Sequence, residues 1–182
     1  MLLSHRIRLN ATSVQRAYFA RAPGTARRVW NWALAEWARQ VASGLRPDAM
    51  ALTKQFNVIK YAHSDWLDSE GRPWLRTIHR GAHAQPFVHL AHACTRCIAA
   101  RKAGRPCHPP RFKKKGRNRD SLYIANDKFL VKRWSAILPK IGHWFLAVQV
   151  EVPQEEALRR RKVRGRKKML RIIAYVFESR QP

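Results

Sequence analysis

No acidic side chain interrupts the stretch RKAGRPCHPPRFKKKGRNR from Arg101 to Arg119, which sets nine Lys or Arg residues around Pro-Pro and one aromatic, Phe112. A segment of that charge density cannot be buried, because a cation taken out of water without a partner is too costly. Nor can it continue a helix, since its prolines remove backbone donors and crowd the preceding turn. It must therefore run over the surface, and it divides the chain into an earlier part with helical periodicity and a later part with strand periodicity. A second run, LRRRKVRGRKK from Leu158 to Lys168, adds eight more basic residues. The whole chain carries 37 Lys and Arg against 11 Asp and Glu, a net charge of +26 over 182 residues. Such a charge strains a compact state by self-repulsion, and a bound polyanion relieves the strain.

The chain is nevertheless built to fold, because 46% of its residues are hydrophobic and seven are Trp, enough apolar material for a core. One compact domain, or one with a small inserted subdomain, suits this length. Nucleic acid is the polyanion that the charge selects. A membrane is disfavoured: no apolar run approaches the roughly 20 residues of a spanning helix, and the basic clusters are broken by Pro and Gly rather than amphipathic. Met1 to Leu3 is too short an apolar start for a signal peptide, and Arg6 and Arg8 follow at once. Three cysteines, an odd number, argue against a disulfide framework and for a reducing cytoplasm.

Residues 2 to 9 alternate around Leu3, Ile7 and Leu9, the pattern of a short strand. Thr12 and Gln15 form a capping box, and Val14, Ala17 and Tyr18 repeat at helical spacing until Pro23-Gly24, where the run is expected to stop. A second helix is predicted from Thr25 to Ser43 on the stripe Trp30, Leu34, Trp37 and Val41, closed by Gly44. Two helices joined by a tight Pro-Gly turn read as a helix-turn-helix or as an ordinary helical hairpin, and the large Trp residues favour packing. Asp48 caps a third predicted helix that reaches Tyr61 with Met50, Phe56 and Ile59 inward, and His63 to Pro73 reads as a loop. A fourth is expected to begin at Pro86 and to carry Phe87, Leu90, Ala91, Cys94 and Ile98 until Gly104-Arg105-Pro106. Beyond the basic stretch the period falls to two, through Leu122, Ile124, Trp144, Leu146, Val148, Val150 and Val152, and Leu170 to Phe177 suits a last strand. The class is α+β: residues 1–10 as a first strand, 11–105 as a helical block, 106–153 as the basic loop with a small, incomplete antiparallel barrel or sheet, and 154–182 as a basic tail.

Cys94, Cys97, Cys107 and His108 match the arithmetic of a three-Cys, one-His zinc site. On a helix, however, Cys94 joins the apolar stripe, where a thiol acts as a small buried hydrophobe. No metal is assigned. The carboxylates form no obvious catalytic set: Asp65, Asp68 and Glu70 crowd one loop, Asp120 and Asp127 flank a strand, and Glu151, Glu155 and Glu156 lie near a turn. A magnesium nuclease needs two or three converging on one phosphate. There is no P-loop, G-x-S-x-G or H-E-x-x-H, so the residues suggest a binder, with no cofactor and no small-molecule substrate.

Together these segments resemble the N-terminal half of the TnpB family, RNA-guided nucleases encoded by insertion sequences, whose N-terminal part is described as a helix-turn-helix domain. The resemblance runs over residues 2 to 153. It rests on GTARRVWNWALAEW (Gly24 to Trp37), QFNVIK (Gln55 to Lys60), PFVHLAHA before AARKAGRP, PRFKKKGRNRDS (Pro110 to Ser121), YIANDKF (Tyr123 to Phe129), LPKIG (Leu138 to Gly142) and FLAVQVEVP (Phe145 to Pro153). It implies a helical recognition lobe inserted after the first strand of an oligonucleotide-binding barrel, the two together holding a guide RNA and target DNA.

On that resemblance Arg111, Lys113, Lys114, Lys115, Arg117 and Arg119 contact phosphates, Phe112 stacks on a base or anchors the loop, and Thr53, Lys54 and Arg80 approach nucleic acid from the recognition helices. Only His143 and Trp144 separate LPKIG from FLAVQVEV, where the family has further strands, so barrel closure is in question. The family's RuvC-like nuclease motifs have no counterpart in the 182 residues. The expectation is a chain truncated before the nuclease domain, binding RNA or DNA without cutting it. The alternatives are a decayed fragment with only non-specific polyanion binding and a small zinc module.

Overall fold

The computed structural model describes residues 9–117, 121, 123–124, 130–132 and 135–146. They fall into two compact units, one holding the described residues up to 20 and from 121 onward and the other the described residues from 21 to 117. The elements run β1 (Leu9–Asn10), α1 (Ser13–Ala42), α2 (Ala49–Ile59), α3 (Arg80–Lys102), β2 (Leu130–Lys132), β3 (Ser135–Leu138) and β4 (Gly142–Leu146), with short 3-10 turns at Ser64–Trp66 and Trp74–Thr77.

The capping box forms as its spacing requires. The Thr12 N–H donates to Gln15 Oε1 at 2.9 Å, and the Gln15 N–H donates back to Thr12 Oγ1 at 3.4 Å. The expected break at Pro23-Gly24 does not occur, because α1 continues through both residues for 30 residues in all. Proline inside a helix loses one backbone bond and costs about 3 kcal/mol. Burial of the same turn offsets that cost: Pro23 is buried, Ala22 is 0% and Thr25 3% exposed, and Thr25 Oγ1 donates to the Arg21 carbonyl at 3.2 Å. Gly24 is not among the glycines with positive φ, whereas Gly44 is, at 73°. The first reversal therefore comes at Gly44, where the Leu45 N–H reaches the Gln40 carbonyl at 2.9 Å, a left-handed C-terminal cap. The two helices expected on either side of Pro23-Gly24 are thus one, and the next helix, α2, follows the turn after Ala42.

Asp48 caps α2 as predicted, accepting from the Met50 and Ala51 N–H groups at 2.8 and 3.0 Å. Leu52 and Phe56 carry its buried face, while Met50, expected inward, is 66% exposed. Helix α3 starts six residues before Pro86, the position expected to open it, because His79 Nδ1 accepts the Gly81 N–H at 3.1 Å and Ala82 and His83 are already buried. Cap and core contacts there outweigh the single bond that Pro86 removes. Gly104, at φ 65°, ends the helix with the Arg105 N–H on the Ala100 carbonyl at 2.9 Å.

The core of the larger unit is aromatic. Phe56 lies edge-on to Trp66 with ring centroids 5.0 Å apart, 5.4 Å from Phe87 and 5.3 Å from Trp32. Val29, Leu52, Leu75 and Leu90 complete it at 0% exposure. Each such side chain contributes roughly 1.5–3 kcal/mol of burial. The loop from His63 to Pro73 is tied down by Trp66 beneath it and by Asp68, which accepts from the Glu70 and Arg72 N–H groups at 3.0 and 2.8 Å.

In the other unit the strands form one antiparallel sheet in the order β1-β4-β3-β2. The LPKIG motif is a tight hairpin: Leu138 pairs with Gly142 across a turn that holds Lys140 at φ 68°. The described strands form an open sheet. The expected strands from Ala147 onward and the basic tail lie outside the described residues, as do Leu122, Asp120, Asp127 and Arg119.

Candidate nucleic-acid interface

The surface strip Pro110 to Arg117 gets its position from two neighbouring residues of α1. Trp30 Nε1 donates to the Arg111 carbonyl at 2.9 Å. One residue on, Asn31 makes a two-way clamp, its Nδ2 donating to the Lys113 carbonyl at 3.0 Å and its Oδ1 accepting the Lys113 N–H at 2.8 Å. An extended strand offers both groups of one residue on the same edge, which a carboxamide matches and a hydroxyl or carboxylate does not. Gly116, at φ 78°, then turns the chain, a conformation a side chain would strain.

The clamp gives the basic residues different jobs. Lys113 is half-buried, with its Nζ 4.0 Å from the Trp30 ring centroid. Burial and the neighbouring Arg27 charge push its pKa down. Lys113 therefore works as a cation–π anchor. Arg111, Lys114, Lys115 and Arg117 are exposed. Phe112 is 58% exposed, which suits stacking on a base better than burial as an anchor.

The other residues expected to meet nucleic acid lie elsewhere in the same unit. Lys54 is exposed on α2, whereas Thr53 is half-buried and turns its hydroxyl onto the Ala49 carbonyl at 2.7 Å. Arg80 is exposed in the first turn of α3 and belongs to a second basic group. There Lys60 and Arg76 approach the Tyr61 ring at 4.8 and 5.2 Å, and burial with the Arg80 charge pushes the Lys60 pKa down. His83, buried beneath this group, has its pKa lowered to about 4 by desolvation and then by the charges of Lys60, Arg80 and His79.

The cysteines correct the sequence expectation. Cys97 and Cys107 are joined as a disulfide, and Cys94 is a buried free thiol whose pKa burial raises. Among the described residues no group of three or more His, Cys, Asp or Glu side chains is placed to hold a metal. Likewise no described helix is long and apolar enough to cross a membrane. The described carboxylates have local duties: Asp48 caps α2, Asp68 and Glu70 pair with Arg72, Glu36 with Arg39, and Asp65 faces His63.

What the sequence hid was the anchor. Trp30 reads as one more apolar helix position. Asn31 beside it, a poor helix former placed next to the core stripe, is the available hint of a side chain committed to another segment.

Comparison with known proteins bears on the whole arrangement. Residues 1–46 match the helix-turn-helix domain model of the IS605 OrfB family. The chain is also 28% identical over 150 residues to proteins of two Mycobacterium tuberculosis strains, CDC 1551 / Oshkosh and H37Rv, named "Putative RNA-guided DNA endonuclease MT2953" and "Putative RNA-guided DNA endonuclease Rv2885c". Those matches cover 75% of this chain and 32% of each relative, so the chain spans about a third of their length. Residues 1–46 are therefore similar to the helix-turn-helix domain of the IS605 OrfB family, and over 150 residues the chain is similar to about a third of the length of relatives named as RNA-guided DNA endonucleases.

Proposed function

We propose that this chain binds RNA or DNA through backbone phosphates along Arg111, Lys114, Lys115 and Arg117, as the nucleic-acid-holding part of a TnpB-like protein, and does not itself cut the strand. The carrying observation is the clamp on α1. Three hydrogen bonds and a cation–π contact fix a strip whose remaining cations all face solvent. A loop of pure charge would otherwise repel itself into disorder. Holding it in register keeps the cations at a spacing that a polyanion can match, with less ordering cost on binding. Among the described residues the carboxylates are engaged in caps and local ion pairs, which supports the non-cleaving part of the reading.

The relatives are named for guiding by RNA and cleaving DNA. For this chain the corresponding partner is a structured RNA, with a DNA duplex as second ligand. Phe112 supplies a stacking platform for an unpaired base.

The test is a salt titration of binding. Each duplex phosphate neutralised contributes about −0.9 to the slope of log K against log salt. Lys114→Ala with Lys115→Ala is expected to flatten that slope by about 1.8 and to weaken binding to all sequences alike. An unchanged slope would remove the strip from the interface. Sequencing RNA that co-purifies with the tagged chain, against a charge-matched basic control, tests the guide. Enrichment of one transcript supports it, and bulk ribosomal and transfer RNA at control level refutes it.

A further inference from the structure

Helix α3 ends at Lys102, and the reversal at Gly104 returns the chain on itself, so that Cys107 stands with its Cα 5.3 Å from that of Cys97 and the two sulfurs are bonded. Both cysteines line an open depression with Ala93, Arg96, His108 and Pro110; Cys97 is buried and Cys107 is half-buried, so a small thiol reaches the bond from the Cys107 side. Cys94, one helical turn before Cys97, is buried. It is as buried as Cys97 and is set apart by pairing: Cys97 is bonded to Cys107 and Cys94 is left as a free thiol.

The bond also has a place in the site, and here the inference rests on the reading of the strip as the nucleic-acid contact. Only His108, Pro109 and Pro110 separate Cys107 from Arg111, whose carbonyl Trp30 holds. The strip is therefore fixed at its root to α3 and along its length to α1. We propose that Cys97 and Cys107 form a reversible thiol–disulfide site that exchanges with small thiols of the glutathione type and locks the root of the basic strip. In the oxidising direction one oxidised glutathione accepts two electrons and leaves as two thiols. The protein thiols lose two protons and two electrons and form the sulfur–sulfur bond. Reduction reverses this and frees residues 105–110, so that binding must then order them again.

Two measurements on the full-length wild-type chain test this. First, after incubation with oxidised glutathione, unfolding in N-ethylmaleimide is expected to label Cys94 alone. Peptide mapping is expected to find Cys97 joined to Cys107, and dithiothreitol to expose all three thiols. Labelling of all three after oxidation, or a bond to Cys94, overturns the site. Second, affinity for a mixed-sequence 20-nucleotide RNA and for a 20-base-pair duplex is expected to be about three- to tenfold higher in the oxidised form, with the salt slope the same in both forms. Equal affinities overturn the lock. Cys107→Ser is expected to abolish the redox response and Cys94→Ser to keep it. Failure of the strip reading itself shows separately, as an unchanged slope in the Lys114→Ala, Lys115→Ala variant, while the mapped bond is read by mass whatever that slope does.

Discussion

Replacing Asn31 by Ala removes both hydrogen bonds to the Lys113 backbone, at 3.0 and 2.8 Å, while leaving every cation of the strip in place. A part-buried bond of this kind contributes about 0.5–1.5 kcal/mol, so the pair contributes about 2 kcal/mol to docking of the strip. What remains between the strip and α1 is the Trp30 bond to Arg111 and the Lys113 ring contact, together worth about 1.5–3 kcal/mol. If nucleic acid binds only the docked strip, apparent affinity falls with the docked fraction. The ceiling of about 30-fold is approached only if the wild-type strip is docked a small fraction of the time; a wild-type strip docked half the time loses about 15-fold, and one that the two remaining contacts alone still hold half docked loses about twofold. The assay is fluorescence anisotropy with a labelled RNA across a salt series. The expected signature is a parallel shift of the log–log line, weaker at every salt and equal in slope, because the number of phosphates contacted does not change. Two results would refute the reasoning: an affinity indistinguishable from wild type, or a slope that flattens as it does when Lys114 and Lys115 are lost.

Other consequences of the fold can be checked directly. Phe87→Ala opens a cavity among Phe56, Trp32 and Leu90 and is expected to cost about 3–5 kcal/mol in denaturant melts. Asp48→Ala strips two N–H groups of their cap and should cost about 1 kcal/mol, with Asp48→Asn recovering most of it. His83 has a folded pKa of about 4 against 6.5 unfolded, so the unfolded state binds the proton first. Its contribution is therefore complete above pH 6.5 and lost as pH falls toward 4, with about 3 kcal/mol as the upper bound. His83→Gln should flatten stability against pH in that window, as followed by circular dichroism.

Local signals explain what was legible in the sequence. The capping box at Thr12 and Gln15, the Asp48 cap, and the glycines at 44 and 104 each act through the nearest few backbone groups, so their meaning survives without knowledge of the tertiary fold. Pro23 and Pro86 misled for the same reason. A proline's penalty is local and fixed, but in this chain both rings are buried, and that gain is tertiary. The site divided similarly. The cations of Arg111 to Arg117 announce themselves by composition, whereas the clamp on them joins residues 81 or 82 positions apart and leaves no periodic trace. Cys97 and Cys107 lie only ten apart, yet their pairing needed the reversal at Gly104, which spacing alone cannot supply.

A common logic links the anchor to the charge it holds. Trp30 serves three partners at once: its body is 6% exposed in the core, its N–H takes the Arg111 carbonyl, and its ring face takes Lys113. The strip is therefore tied to the hydrophobic cluster by a residue whose position that cluster already fixes. Loosening the core around Val29 and Ala33 would shift the ring, and with it the register of cations more than eighty residues away in sequence. For a chain with a net charge of +26 this coupling runs both ways. A polyanion that neutralises Arg111 to Arg117 lowers the self-repulsion opposing docking, and so stabilises the packing of α1 that presents those residues. Folding stability and nucleic-acid affinity should accordingly rise together across variants of the clamp, and separately across variants of the exposed lysines.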